Sequence, residues 1–159
     1  MSLHTHIAVV PATPAYWPFV LDSFRRHLLY HCDGEYTEAQ SYRHRDRLAA
    51  LLRGELARTV VTVPNGHDEA LGWAAALGDV LVFAYVREQL RRNGFGAQMV
   101  AQLTESAPVR IAYWTPSARE IRAAGFPIIF DRDAYEDIAR IRRHWPQTLS
   151  ERTITCEQK

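Results

Sequence analysis

Tyr85-Val86-Arg87-Glu88-Gln89-Leu90-Arg91-Arg92-Asn93-Gly94-Phe95-Gly96-Ala97 is the stretch of this chain that decides its fold. It closes Val80 to Val86 (VLVFAYV), an almost wholly apolar run of the kind a strand buried on both faces requires. A basic loop with two glycines follows. Phe95, Met99 and Leu103 then fall on one face of a helix predicted from about Gly96 to Ser106. Strand, glycine loop and helix N-terminus in that order favour an anion. The first helical turn has unpaired N–H groups and a partial positive charge, and glycines let a phosphate approach the backbone. Arg91 and Arg92 stand where their guanidiniums would add charge-assisted hydrogen bonds. Two commoner phosphate loops are excluded. A dinucleotide fingerprint needs Gly where Met99 stands, and no Gly-Lys-Ser/Thr follows to make a P-loop.

Outward from this stretch the order is strand, two helices, meander, crossover. His4 to Val10 reads as a first strand ended by Pro11, and Thr13-Pro14 as an N-cap with Pro at the first helical position. Trp17, Val20, Leu21, Phe24 and Leu28 make a helical stripe within Ala15 to Tyr30. Thr37 with Gln40 three residues on is a capping box for a second helix that Gly54 closes. Strands are predicted over Arg58 to Val63, Ala70 to Leu77, Val80 to Val86, Val109 to Trp114 and Pro127 to Phe130, with a helix over Pro116 to Ala124. Asp133 to His144 reads as helical, and Arg152 to Cys156 as an edge strand. The fold class is therefore mixed α/β, an antiparallel meander leading into a βαβ crossover. One domain spans residues 1–159, with 131–159 as a variable C-terminal helix and tail.

Composition bounds the rest. The chain has 159 residues, 47% hydrophobic and 23% charged, enough for a core. Nineteen Lys+Arg against eighteen Asp+Glu exclude a strongly basic nucleic-acid coat. All the basic residues are Arg except Lys159, a bias that Arg-rich codon usage explains for most positions. Cys32 and Cys156 form no CxxC pair, the N-terminus lacks a basic start and long apolar run, and no apolar stretch approaches a bilayer span. A soluble, cytoplasmic protein without membrane contact is the expectation. His27, His31, Cys32 and His44 lack the spacing of a ligand set, so no metal is expected. Arg43, Arg45 and Arg47 form a basic face that could track nucleic acid, with a solvated face as the simpler reading.

Arg91-x-x-Gly94-x-Gly96 resembles the pyrophosphate loop of the GNAT acyltransferase superfamily, Q/R-x-x-G-x-G/A. Thr115-Pro116-Ser117-Ala118 followed by Gly125-Phe126 resembles that family's second motif, N-x-x-A and a helix ending in GF. The likeness covers roughly residues 5 to 130. More narrowly, Trp17, Phe24-Arg25-Arg26, Leu71-Gly72-Trp73 and Phe83-Ala84-Tyr85-Val86 are similar to small GNAT-like proteins of phages and prophages. The resemblance implies a mixed sheet whose fourth and fifth strands run parallel and splay around acyl-CoA. Pyrophosphate would meet the amides of Asn93, Gly94, Phe95, Gly96 and Ala97 beside Arg91 and Arg92. Pantetheine would pair with the backbone of Tyr85 and Val86, and Thr115 and Ser117 would also line the cofactor. An acyl group, acetyl by expectation, would pass directly to an unidentified amine. Family members are often dimers, so the resemblance allows a homodimer, and the sequence itself does not give the assembly.

The chain departs from this pattern in its catalytic half. The usual acid is a Tyr shortly before GF; Arg119 to Ala124 contains none and is about one residue short, and the family's Asn is Thr115. Tyr113 or Tyr85, on the strands flanking the thioester, would replace it, with Ser117 a weaker candidate. Glu35, Asp33 and Asp79 are the candidates for the base. The missing Tyr leaves a second reading open, a GNAT-fold binding or accessory protein that has lost catalysis and acts on host protein or nucleic acid.

Overall fold

A computed structural model of the chain describes residues 7–32, 34–53, 58–64, 68–78, 80–103, 108–113 and 115–134. The predicted C-terminal helix beyond Ala134, the predicted edge strand Arg152 to Cys156, and Asp33, Asp79 and Trp114 lie outside these residues. Six strands form one sheet in sequential order: β1 (Ile7–Pro11), β2 (Arg58–Pro64), β3 (Gly72–Leu77), β4 (Val80–Val86), β5 (Val109–Ile111) and β6 (Ile128–Phe130). The first four are antiparallel neighbours; β4 with β5 and β5 with β6 are parallel. Helices α1 (Trp17–His31) and α2 (Glu38–Arg53) connect β1 to β2, α3 (Phe95–Leu103) joins β4 to β5, and α4 (Pro116–Ala123) joins β5 to β6.

Local chemistry explains the helix starts. Thr37 N–H donates to Gln40 Oε1 at 2.8 Å and Gln40 N–H donates to Thr37 Oγ1 at 3.2 Å, the predicted capping box. Thr13 behaves differently from expectation. Its side chain caps nothing, and Pro14 opens a 3-10 turn over Pro14–Tyr16 before α1 begins at Trp17. α1 buries Val20, Phe24 and Leu28 as the stripe predicts, and it also buries His27, which the apolar pattern omits. Trp73 on β3 is fully buried, and its Nε1 donates to Ser23 Oγ of α1 at 2.8 Å, fixing the helix over the sheet.

The two sheet faces carry separate cores. Val20, Phe24, Leu28, Leu48, Trp73, Val82, Phe83 and Tyr113 pack between the sheet and α1–α2. Val60, Ala84, Val86, Met99, Val100, Ile111 and Ile121 pack on the side of α3–α4. Along β4 the alternation breaks once. Ala75 pairs with Phe83 but Ala76 with Leu81, leaving Val82 as an extra residue, a β-bulge. Val82 and Phe83 consequently share one face, and Tyr85 follows Phe83 onto the α1 side while Ala84 and Val86 face α3.

The parallel contact between β4 and β5 is short. Only Val80 with Arg110 and Leu81 with Ile111 are in register, and the predicted fifth strand to Trp114 stops at Ile111, with Ala112 and Tyr113 in a bend. Among the described residues, no strand pairs with the β5-side edge of β4 beyond Leu81. The antiparallel ladder assigns the groups on that edge. Arg87 N–H donates to the Leu71 carbonyl at 2.9 Å, so Leu71–Arg87 and, two residues on, Trp73–Tyr85 are the hydrogen-bonded pairs. Gly72–Val86 and Ala74–Ala84 are then the non-bonded pairs, and the N–H and C=O of Ala84 and Val86 point into the open wedge.

Gly72 has no room for a side chain. A β-carbon there would lie 2.7 Å from the Tyr85 carbonyl oxygen and 2.9 Å from Thr62 Oγ1. Gly72→Ala should therefore cost about 2 kcal/mol and lower Tm by roughly 4–8 °C. A thermal melt indistinguishable from wild type would show that β3 and β4 do not meet as tightly as described.

Candidate functional site

The wedge opens toward the loop between β4 and α3. Arg92 and Gly94 both have positive φ, 67° and 79°. Glycine takes that conformation freely, whereas Arg92 is held there against its preference. Asn93 helps to hold it, its Nδ2 donating to the carbonyls of Leu90 (3.1 Å) and Arg91 (3.3 Å). Gly96 works by close packing: a β-carbon would sit 3.1 Å from the Ile121 side chain of α4. Val86, Leu90, Arg91, Phe95, Gly96 and Ile121 are among the residues lining a cavity of about 110 Å³ at the start of α3, with Arg92, Gly94 and Ala97 on its wall. Neither Arg91 nor Arg92 has a carboxylate partner among the described residues. Two uncompensated guanidiniums beside a helix N-terminus suit a pyrophosphate.

Other predicted cofactor residues take different roles. The backbone of Tyr85 is committed to β3, so Ala84 rather than Tyr85 joins Val86 in facing the wedge. The Val86 carbonyl already accepts from Arg91 Nε at 3.1 Å. Thr115 is 2% exposed and caps α4, its Oγ1 accepting from Ala118 N–H at 3.1 Å. Ser117 lies in the first turn of α4. Arg87 turns away from the loop to bind Glu69 at 2.7 Å and lie over the Phe19 ring.

On the opposite face, Tyr85 and Tyr113 both belong to the α1–α2 side. Tyr113 is buried, two residues past β5, with its hydroxyl 2.6 Å from His44 Nδ1 and its ring against Phe24, Phe83 and Tyr36. Burial, then the Arg47 and Arg43 charges, lowers the His44 pKa, so this imidazole is neutral at neutral pH. Burial, then Cys32 and Glu35, pushes Tyr36 up to about 12. Glu35 does not join this cluster through its carboxylate, which pairs with Arg132 at 3.5 Å. Tyr85 instead borders a groove of about 790 Å³ running along α1, with Asp22, Arg26, His27, His31 and Glu88 among its lining residues.

His27 is the residue that the sequence reading weighed only as a metal ligand. It is 2% exposed, neither ring nitrogen has a hydrogen-bond partner, and its ring lies near those of His31 (4.9 Å), Phe83 (5.4 Å) and Tyr85 (6.2 Å). The available signal was its place at i+3 from Phe24, on the buried stripe. On α2 the basic face is partly committed, Arg45 to Asp46 at 2.9 Å and, with Arg25, to the ring of Tyr42. Among the described residues no three His, Cys, Asp or Glu side chains cluster to hold a metal, and no helix is long and apolar enough to cross a membrane.

No protein-family model matches the chain, and no curated protein matches it. Solved structures do. A probable acetyltransferase shares 18% identity over 75% of this chain and 89% of its own, with a TM-score of 0.52. A GCN5-related N-acetyltransferase from Rhodopseudomonas palustris shares 17% over 88% and 82% (TM-score 0.48). An aminoglycoside N-acetyltransferase in complex with CoA shares 12% over 87% of each chain (TM-score 0.45). The first of these supports the fold, and with the six-stranded sheet and its parallel β4–β5 pair it identifies the GNAT fold. The narrower likeness to phage-encoded proteins finds no counterpart among these three.

His27 links the site to stability. Burial, then His31, then Arg91 lowers its pKa from the ordinary 6.5 to about 4. The unfolded chain therefore binds the extra proton first. Stability is full above about pH 6.5 and falls as the pH drops toward 4, by about 3 kcal/mol at most from this group. His27→Phe should flatten that part of the Tm-against-pH curve. An unchanged slope would remove His27 as its source.

Proposed function

We propose that this protein is an acyl-CoA-dependent N-acyltransferase, acetyl being the acyl group, that passes it directly to an amine. One observation carries the reading. Among the described residues, the unpaired edge of β4 leads to a two-glycine loop where neither Arg91 nor Arg92 has a carboxylate partner. That combination suits a long ligand with amides at one end of its arm and a pyrophosphate at the other. Acyl-CoA supplies an activated carbonyl when bound. The groups of Ala84 and Val86 are suited to orient its arm as a neighbouring strand would, and the amides from Asn93 to Ala97 to neutralise the pyrophosphate.

Tyr113 is the better candidate for the acid, because His44 fixes its hydroxyl at 2.6 Å, whereas the Tyr85 hydroxyl has no such partner among the described residues. The groove along α1 is the candidate entrance for the amine. There His27, lowered to about 4 by burial, adds no positive charge beside an incoming amine at neutral pH. Glu35 is a weaker base in this reading, since Arg132 holds its carboxylate.

Acetyl-CoA at a hundredfold excess over its Kd should stabilise the fold by about 2.7 kcal/mol, a Tm rise of roughly 5–10 °C. No rise at millimolar ligand would sink the acyl-CoA reading. Tyr113→Phe should leave that rise intact and slow acetyl transfer about a hundredfold, measured as thiol release with a panel of primary amines. The absence of any Tyr on α4 favours a second reading, a CoA-binding protein without transferase activity. A full thermal shift with no thiol release from wild type on any amine would decide for it.

A further inference from the structure

The two halves of the CoA-type site are not independent, because one side chain belongs to both. Val86 points its carbonyl into the wedge, where an amide-bearing arm would need it, and Arg91 Nε already donates to that oxygen at 3.1 Å. Arg91 also lines the cavity at the start of α3, and no carboxylate among the described residues competes for its guanidinium. A neutral carbonyl is its resting partner only until a stronger acceptor arrives. A phosphate oxygen is such an acceptor, since charge-assisted bonds are about twice as strong as bonds to neutral oxygen.

We propose that Arg91 is a specificity-determining latch: it blocks the Val86 carbonyl against any arm lacking a phosphate and surrenders it when a pyrophosphate draws the guanidinium away. This rests on the acyl-CoA reading and adds a coupling to it. The phosphates gain a cation, and their binding uncovers the backbone group that the arm uses. Arm and phosphates bind cooperatively, so pantetheine alone binds less well than its contacts would allow. The loop geometry assists: the 3-10 turn over Glu88–Leu90 folds the chain so that Arg91 reaches back five residues to Val86.

The test compares pantetheine and CoA on wild type, Arg91→Ala and Arg91→Gln by calorimetric titration. The latch predicts effects of opposite sign. Arg91→Ala should bind pantetheine about threefold or more tightly than wild type, because the carbonyl is bare. It should bind CoA about tenfold more weakly, because a phosphate ligand is lost. Arg91→Gln keeps an N–H donor without the charge, so it should weaken CoA and leave pantetheine close to wild type. If Arg91→Ala weakens both ligands, or leaves pantetheine unchanged, the latch is overturned while the acyl-CoA reading stands. If wild type binds neither ligand, both fall. A ligand-free Tm for each variant close to wild type confirms that binding, and not folding, is being compared.

Discussion

Among the described residues, β4 beyond Leu81 is paired with a strand on one side only. β3 pairs with every residue of it except the bulged Val82, whereas β5 pairs at Val80 and Leu81 and then bends away. Unpaired strand edges are costly inside a protein and invite another chain, so a fold that leaves one open next to its core needs something to occupy it. Here the occupant of one acceptor is a side chain from the loop that follows. The geometry of that loop, the packing of α3 on α4 through Gly96, and the position of Tyr113 past the end of β5 all depend on where the β4–β5 pairing stops.

Much of this architecture can be read from the chain, because its signals are local. The apolar run of β4, the Thr37–Gln40 box and the stripe of α1 each act within a few residues, and each element forms within three residues of its expected limits. What cannot be read depends on pairing across distance. The bulge at Val82 is visible only against β3, and it decides which face receives Tyr85. The early end of β5 is set by divergence from β4 and not by composition, since Ala112-Tyr113-Trp114 is as strand-like as Val109-Arg110-Ile111. Thr115 looked like a cofactor residue from its motif position, yet its oxygen closes a helix end, a use that the same residue type serves throughout proteins.

The site itself divides in the same way. The loop proposed for phosphate follows from backbone conformation, and two glycines in a fixed spacing mark it. The side proposed for transfer draws on α1, α2 and the strand ends, and His27, His44 and Tyr113 are scattered in sequence. His44 and Tyr113 meet across 69 positions, beyond the reach of any spacing rule. The surplus of arginine has a matching division: Arg25, Arg26, Arg45, Arg87, Arg110 and Arg132 bind carboxylates, whereas Arg91 and Arg92 have no carboxylate partner among the described residues.

The single extra residue at Val82 is a phase shift in the strand. Upstream of it, even-numbered side chains of β4 belong to the α1–α2 core; downstream, odd-numbered ones do. The strand thus carries two reading frames joined at one point, and point substitution cannot convert one into the other. Loss of Val82 would remove the bulge and leave Leu81 and Phe83 in plain alternation, with Phe83 and Tyr85 still on the α1–α2 side and Ala84 and Val86 still facing α3. The bulge is for that reason the place in β4 where a residue can be lost without exchanging the faces downstream of it.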